Sequence, residues 1–402
     1  MARRAVWAVL LCTGLAHAHE DDHNGPPLQP GWRVGGGVAL AVVAAQDAWP
    51  VARHEGVLLT GQTARDRRNE LSLEHATVGA AARFTPWLAA QFSLGMHDRD
   101  QAHVEVARVE ANGQAWGQLW RLRAGRQSPS LGGVVDGAGH FDNFAQAPLA
   151  KQAVFNETWI DDGLTLQWQR AEERGLQALE AGVWRARAFP GGPHGPVAPS
   201  LKATGVWDHW TGHLFGAWLQ PQGRGAAAVG LGTVGHTHGV PDCHQTVANL
   251  ACFDGQAQVF GASLSSGSED ERWAYSAAGL WRRERGALYS QTGTATYEGD
   301  TTGLWADVSL RWRPDLTVAV RAERLASQHT VNGPGASLVA ATAGLTAAPT
   351  VHRLALALGS TLFEPVALWL EAGAEQASGA SAQPYVVLRA VWQAPQWLQG
   401  RF

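Results

Sequence analysis

The sequence predicts an all-β protein, a transmembrane antiparallel β-barrel of roughly 16 strands, within a range of 14–18, since bacterial barrels favour even numbers. Three observations predict it. Apolar and polar residues alternate with a period of two along most of the chain. The chain opens with an export signal. Its composition is poor in charge, 16% Asp, Glu, Lys and Arg, yet holds 47 Gly and 19 Trp, which suit turns and the two membrane interfaces.

At the N-terminus, Arg3 and Arg4 precede an apolar stretch from Ala5 to Leu15 and a small-x-small site at Ala16-His17-Ala18, the layout of a cleaved signal peptide over residues 1–18. A lipoprotein anchor at Cys12 is disfavoured by Leu11, where a small residue is expected. Losing Arg3 and Arg4 takes the formal charge from −4 to −6, and this mild acidity argues against nucleic acid as a partner. Residues 19–30 form a short periplasmic segment, too small for a plug domain, and residues 31–402 form the barrel. About 384 mature residues exceed one ordinary core, but no linker or change of composition divides them, so a single closed sheet accounts for the length. The longest apolar stretch past the signal, around Val34 to Ala45, is too short for a spanning helix. A location in lipid therefore requires closure, because an open sheet would leave backbone groups unpaired there.

Several strands are long enough, about 9–11 residues, to cross a bilayer at a tilt. Leu88, Ala90, Phe92, Leu94 and Met96 alternate with Ala89, Gln91, Ser93 and Gly95, and Trp120, Leu122 and Ala124 alternate with Arg121, Arg123 and Gly125. Trp273, Tyr275, Ala277, Gly279 and Trp281 make a row with aromatics near both ends. Leu304, Ala306, Val308, Leu310 and Trp312 face away from Trp305, Asp307, Ser309, Arg311 and Arg313; after a turn at Pro314-Asp315, Leu316, Val318, Val320 and Ala322 face away from Thr317, Ala319, Arg321 and Glu323. His352, Leu354, Leu356 and Leu358 oppose Arg353, Ala355, Ala357 and Gly359, and Val386, Leu388, Ala390 and Trp392 oppose Tyr385 and Arg389. One apolar and one wet face per strand is what a position between lipid and a water-filled lumen requires. Turns at Thr85-Pro86, Pro314-Asp315 and Glu364-Pro365 mark the short periplasmic side, while His236 to Gly255, Ser265 to Glu271 and Ser327 to Ser337 read as external loops. Parity turns on Leu338 to Thr346: as a loop it leaves both termini in the periplasm, as a strand it does not. A soluble sandwich with the same period would protect its edges with lysine, and this chain has only Lys151 and Lys202.

The dyad pattern breaks over residues 128–163. A loop of that length is commonly functional, and folded inward it would make a constriction, with Lys151 and Arg126 opposing Asp142, Asp161 and Asp162 and with His140 nearby; otherwise it packs on the rim. Arg121, Arg123, Arg311, Arg321, Arg353 and Arg389 fall on lumen faces and favour anions, unless Asp307, Glu323 and Glu371 on the same faces pair with them. Ala and Gly on inward faces argue for open space. Cys243 and Cys252, in a turn-rich segment of an exported chain, are expected to form a local disulfide, against the plainer reading of two free thiols. His236, His238 and His244, and the acidic start with His19 and His23, are candidate ligands for zinc, copper or nickel, against the plainer reading of solvated polar loops. Gly230 to Gly235 matches a dinucleotide fingerprint but lacks a strand-turn-helix context, and no nucleophile elbow is present, so neither a cofactor nor an enzyme is expected.

The signal, the strand ending Gly125-Arg126-Gln127 with Pro129 beyond it, the interrupted segment that follows and Phe402 together resemble Gram-negative outer-membrane porins, most of all the phosphate-selective porin O and P type. The resemblance implies a barrel embedded in outer-membrane lipid, placed there by the outer-membrane insertion machinery, trimeric, and passing small hydrophilic solutes or anions by passive diffusion. Two features depart from that type: lysine is nearly absent, and Pro395 interrupts the terminal strand. A metal-capturing surface protein, or a barrel with a filled structural or enzymatic lumen, are the readings set against it.

Overall fold

A computed structural model describes residues 26–45, 54–59, 70–97, 102–139, 141–170, 174–226, 240–245, 250–268 and 272–402. The strands are β1 (Gly31–Ala45), β2 (Leu71–Thr85), β3 (Leu88–Met96), β4 (His103–Ala115), β5 (Gln118–Gln127), β6 (Asp161–Gln169), β7 (Gly175–Trp184), β8 (Ala198–Trp207), β9 (Trp210–Leu219), β10 (Arg224–Ala226), β11 (Ala251–Gly267), β12 (Trp273–Ser290), β13 (Gly293–Arg313), β14 (Leu316–Asn332), β15 (Val351–Phe363), β16 (Val366–Ala377) and β17 (Gln383–Gly400). All are antiparallel to their neighbours in one sheet, which closes because β1 pairs with both β2 and β17. The short β10 and the longer β9 pair with successive parts of β11, Arg224 opposite Phe253 and Leu219 opposite Ala257, so they are one stave interrupted at Pro221 to Gly223. Pro221 has no N–H to give the ladder, but its carbonyl accepts from Gly255 N at 3.0 Å. The barrel therefore has 16 strands across its wall.

An even count brings both termini to one end, with Trp32 opposite Gly400. Leu338 to Thr346 is no strand: most of it lies in helix α3 (Ala336–Ala343) and the residues that follow, within the connection from β14 to β15. Ser265 to Glu271 is a correction. It joins β11 to β12 at the end that carries the termini and the tight turns, and Ser266 pairs with Trp210 beside the β8–β9 turn. Polar, glycine-containing composition suggested a long loop there, but strand order fixes the side. Pro395 does not end β17 either; the ladder with β1 skips between Ala394 and Leu398, a bulge that absorbs the residue without an amide hydrogen.

The outer face is the apolar one. Leu304, Leu354, Leu356, Leu388 and Leu214 are exposed, while their dyad neighbours Trp305, Arg353, Ala355, Ala357 and Arg389 are buried. Exposed Phe84, Trp87, Trp116, Trp207, Trp312, Phe363 and Phe402 ring the terminus-bearing end, with Phe84 stacked on Phe402 at 5.7 Å. Toward the other end, Trp218, Phe260 and Trp281 meet edge-to-face and stacked. From Trp273 to Trp281 the strand runs about 26 Å at ~3.3 Å per residue, and about 20 Å along the axis at the tilt usual in such barrels.

The core lies inside the barrel. Between β5 and β6, residues 128–139 and 141–160 enter the lumen and carry two short helices, α1 (Gly133–Gly137) and α2 (Leu149–Phe155). Every residue of α2 is buried, against β12, β13 and β14. The small residues of the wall are its seat rather than open space: a Cβ on Gly303 would stand 2.4 Å from the Ala150 Cβ, and Phe144 packs on Ala319, Ala355 and Ala357. A second loop, residues 54–59, also enters, burying Val57, Leu58 and Leu59.

Candidate pore constriction

Irregular backbone inside a barrel has no ladder, so each of its buried N–H and C=O groups needs another partner. Charged side chains of the wall supply many of them. Glu323 accepts the Leu149 N–H at 2.6 Å, and Glu371 accepts the Ala145 N–H at 2.6 Å. Arg321 donates to Asp142 at 3.0 Å and to the Gln146 carbonyl at 3.3 Å, with its guanidinium 4.2 Å from the centre of the Phe144 ring. Arg353 reaches the Ala147 carbonyl, Arg389 that of Asp142, and Arg282 those of Val154 and Leu58. The same arginines are neutralised within the wall: Arg321 by Asp307, Arg353 by Glu323 and Glu375, Arg389 by Glu74. Asp307 with Arg321, Glu323 with Arg353 and Arg353 with Glu375 sit directly opposite each other in the ladder.

The nearer end of the segment is held differently. Asp136 accepts from the amides of Leu131 and Gly132 and from the Ser130 hydroxyl, which also takes a hydrogen bond from Lys202 of β8. Lys151 is buried and donates to the Ala138 carbonyl at 2.6 Å. Asp161 accepts the amides of Asp162 and Arg187, and Asp162 pairs with Arg185 at 2.9 Å and lies 3.9 Å from Arg126. Arg121 and Arg123 both lie against Glu110. The expected opposition of Lys151 and Arg126 to Asp142, Asp161 and Asp162 is thus split into three places. Arg126 stands beside Asp162 where β5 and β6 meet, Asp142 is against the far wall at Arg321, and Lys151 is bonded within the segment. Arg311 is half-buried on β13, its amide donating to the Arg272 carbonyl. His140, His236 and His238 lie outside the described residues.

In the second inward loop, His54 is 3.1 Å from Gln152 of α2. Burial pushes its pKa below the ordinary imidazole value, Glu375 working against that shift and Arg353 with it. At the barrel end away from the termini, Cys243 forms a disulfide with Cys252 at the start of β11, Cα to Cα 6.0 Å, and His244 stacks on His194 with Asp242 beside both.

Beside the segment a cavity of about 330 Å³ remains, of a size that takes a small solute. Arg108, Arg123, Lys151 and Lys202 line it together with Glu105, Asp136 and Glu157. Both lysines of the chain are therefore on its wall. Glu105, Arg108 and Lys202 escape a reading of single strands: Arg108 and Lys202 fall on the inward dyads of β4 and β8, while Glu105 is turned inward by the bulge where Leu94 pairs with Val104 and Ser93 with Val106.

In-vitro folded OmpT, an outer membrane protein of Vibrio cholerae in a trimer form, superposes with a TM-score of 0.55 at 10% identity, covering 91% of this chain and 100% of that one. The fold is that of outer-membrane barrels. The outer membrane channel DcaP of Acinetobacter baumannii gives 0.54 at 8% identity, covering 90% and 97%, and an anion-selective porin from Comamonas acidovorans 0.50 at 12%, covering 90% and 99%. No protein-family profile and no curated sequence matches the chain.

Proposed function

We propose that this chain is an outer-membrane porin, a passive pore for small hydrophilic solutes narrowed by residues 128–160, with a mild preference for anions. The observation that carries the reading is the polar cavity left beside an inward segment in a 16-strand barrel with an apolar outer face. The arginines of the far wall do not set selectivity, because carboxylates and backbone carbonyls already occupy them. Selectivity is assigned to the cavity wall, where Arg108 and Lys202 have the neutral Gln91 and the Ser130 hydroxyl as hydrogen-bond acceptors and, with Arg123 and Lys151, face Glu105, Asp136 and Glu157. The placement of both lysines there supports the resemblance to the phosphate-selective type. The trimer form of OmpT supports a trimer here as well, joined through the lipid-facing wall.

Reversal potentials across a planar bilayer under a salt gradient test this. The wild type should favour the anion, and Lys202→Gln should lower the anion-to-cation permeability ratio about twofold or more. Cation preference in the wild type would overturn the assignment. Buried apolar side chains in the lumen, Trp159 against Trp184 and Phe215 among them, favour a second reading as a filled, closed barrel. A folded, inserted protein that never conducts would establish it.

A further inference from the structure

We infer that the inner wall at β2, β3 and β4 holds a transition-metal site built from His75, His97 and Glu105, with His103 in reach as a fourth ligand. One ligand atom from each of the first three lies within 4.8 Å of the others. His75 is wholly buried, and His97 and Glu105 nearly so. His75 Nε2 is 3.1 Å from Glu105 Oε1, and His103 Nε2 is 3.9 Å from that same oxygen. The His97 ring lies between the other two imidazoles, 4.5 Å from His75 and 5.5 Å from His103 by ring centroids.

The backbone makes room for this arrangement. Glu105 stands on β4 and His75 on β2, with β3 between them. A Cβ on Gly95 of β3 would fall 2.0 Å from Glu105 Oε1, so only glycine lets the carboxylate lie across β3 toward His75. Imidazole nitrogens with one carboxylate suit Zn²⁺, Cu²⁺ or Ni²⁺ rather than Mg²⁺ or Ca²⁺, which take oxygen shells. Four ligands at ~2.0–2.2 Å would stand about 3.4 Å apart around tetrahedral zinc, a modest contraction of the arrangement present. An ion has a route in, because Glu105 also lines the cavity beside the inward segment. The Phe141 ring of that segment, 5.3 Å from His75, covers the site from the lumen side. Binding takes neutral imidazoles and an ionised carboxylate. The inference does not depend on whether the barrel conducts.

Titration of the full-length folded protein with Zn²⁺ by calorimetry, and with Co²⁺ by visible absorption, tests it. The expected result is one Co²⁺ per chain with tetrahedral d–d bands. His97→Ala and, separately, Glu105→Gln should each weaken Zn²⁺ binding by about a hundredfold or more, beyond the loss of an outer-sphere partner. The double variant His194→Ala, His244→Ala, which dismantles the external cluster, should keep the Co²⁺ bands. Heat-modifiable gel migration verifies that each variant is folded. If the folded wild type shows no such bands, or folded His97→Ala and Glu105→Gln both bind with wild-type affinity, the four side chains are a hydrogen-bonded wall element and the site does not exist.

Discussion

Arg321 links three parts of the protein through one side chain: Asp307 on the neighbouring strand, Asp142 on the inward segment, and the face of Phe144. Its side chain is only 3% exposed, and removing it takes the arginine from two partly buried carboxylates, Asp142 and Asp307, a loss of about 1–3 kcal/mol. Arg321→Ala is expected to free residues 141–147 from the wall, seen as faster amide exchange there and a several-fold rise in conductance. Asp142→Asn, which keeps a hydrogen-bond acceptor and leaves Asp307 in place, should do much less. This pair was legible in part. That carboxylates on these faces could pair with the arginines was legible; that Asp307 takes Arg321 was not, because the turn pairs Arg313 with Leu316 and the bulge between Arg311 and Arg313 then shifts the register by one. The bond to Asp142 was not legible, because it joins residues far apart in sequence across a lumen whose contents follow no period. Lys151 shows the same limit: its charge suggested a pore wall, and it does line the cavity, but from a buried position in α2, a short helix that the interrupted dyad pattern did not reveal.

At the scale of the element, α2 depends on the shape of its seat. Gly303→Val puts a branched side chain where Ala150 now lies, and should cost about 1–3 kcal/mol of docking free energy. Amide exchange across 149–155 would report the displacement. Gly113→Ala on β4, where nothing lies within 4 Å, is the control and should stay within about 0.5 kcal/mol of the wild type. The 54–59 loop adds a pH dependence. Its docked form holds His54 neutral, with a pKa below the ordinary value, so the undocked form binds a proton first as pH falls. The contribution of His54 to docking is complete above about pH 6.5 and declines below it. Acidification should therefore increase exchange at Val57 to Leu59, and His54→Gln should remove that increase. A wild-type loop indifferent to pH between about 7 and 5 would contradict the assignment.

The barrel as a whole was legible because lipid imposes a rule on every strand: the outward dyad must be apolar, as at Leu354, Leu356 and Leu358. Parity was legible in principle but undecided by composition at Leu338 to Thr346, where a short helix substitutes for a strand. The interior obeys no such rule. Ala319, Ala355 and Ala357 look like room for water in one dimension and are contacts for Phe144 in three. The proposed channel function rests on how much of the lumen those contacts leave open. Single-channel recording of the full-length folded protein in a planar bilayer measures this most directly. Small, discrete conductance steps that reverse on the anion side of a salt gradient are the expected result; a verified, inserted barrel with no steps at any voltage would contradict it.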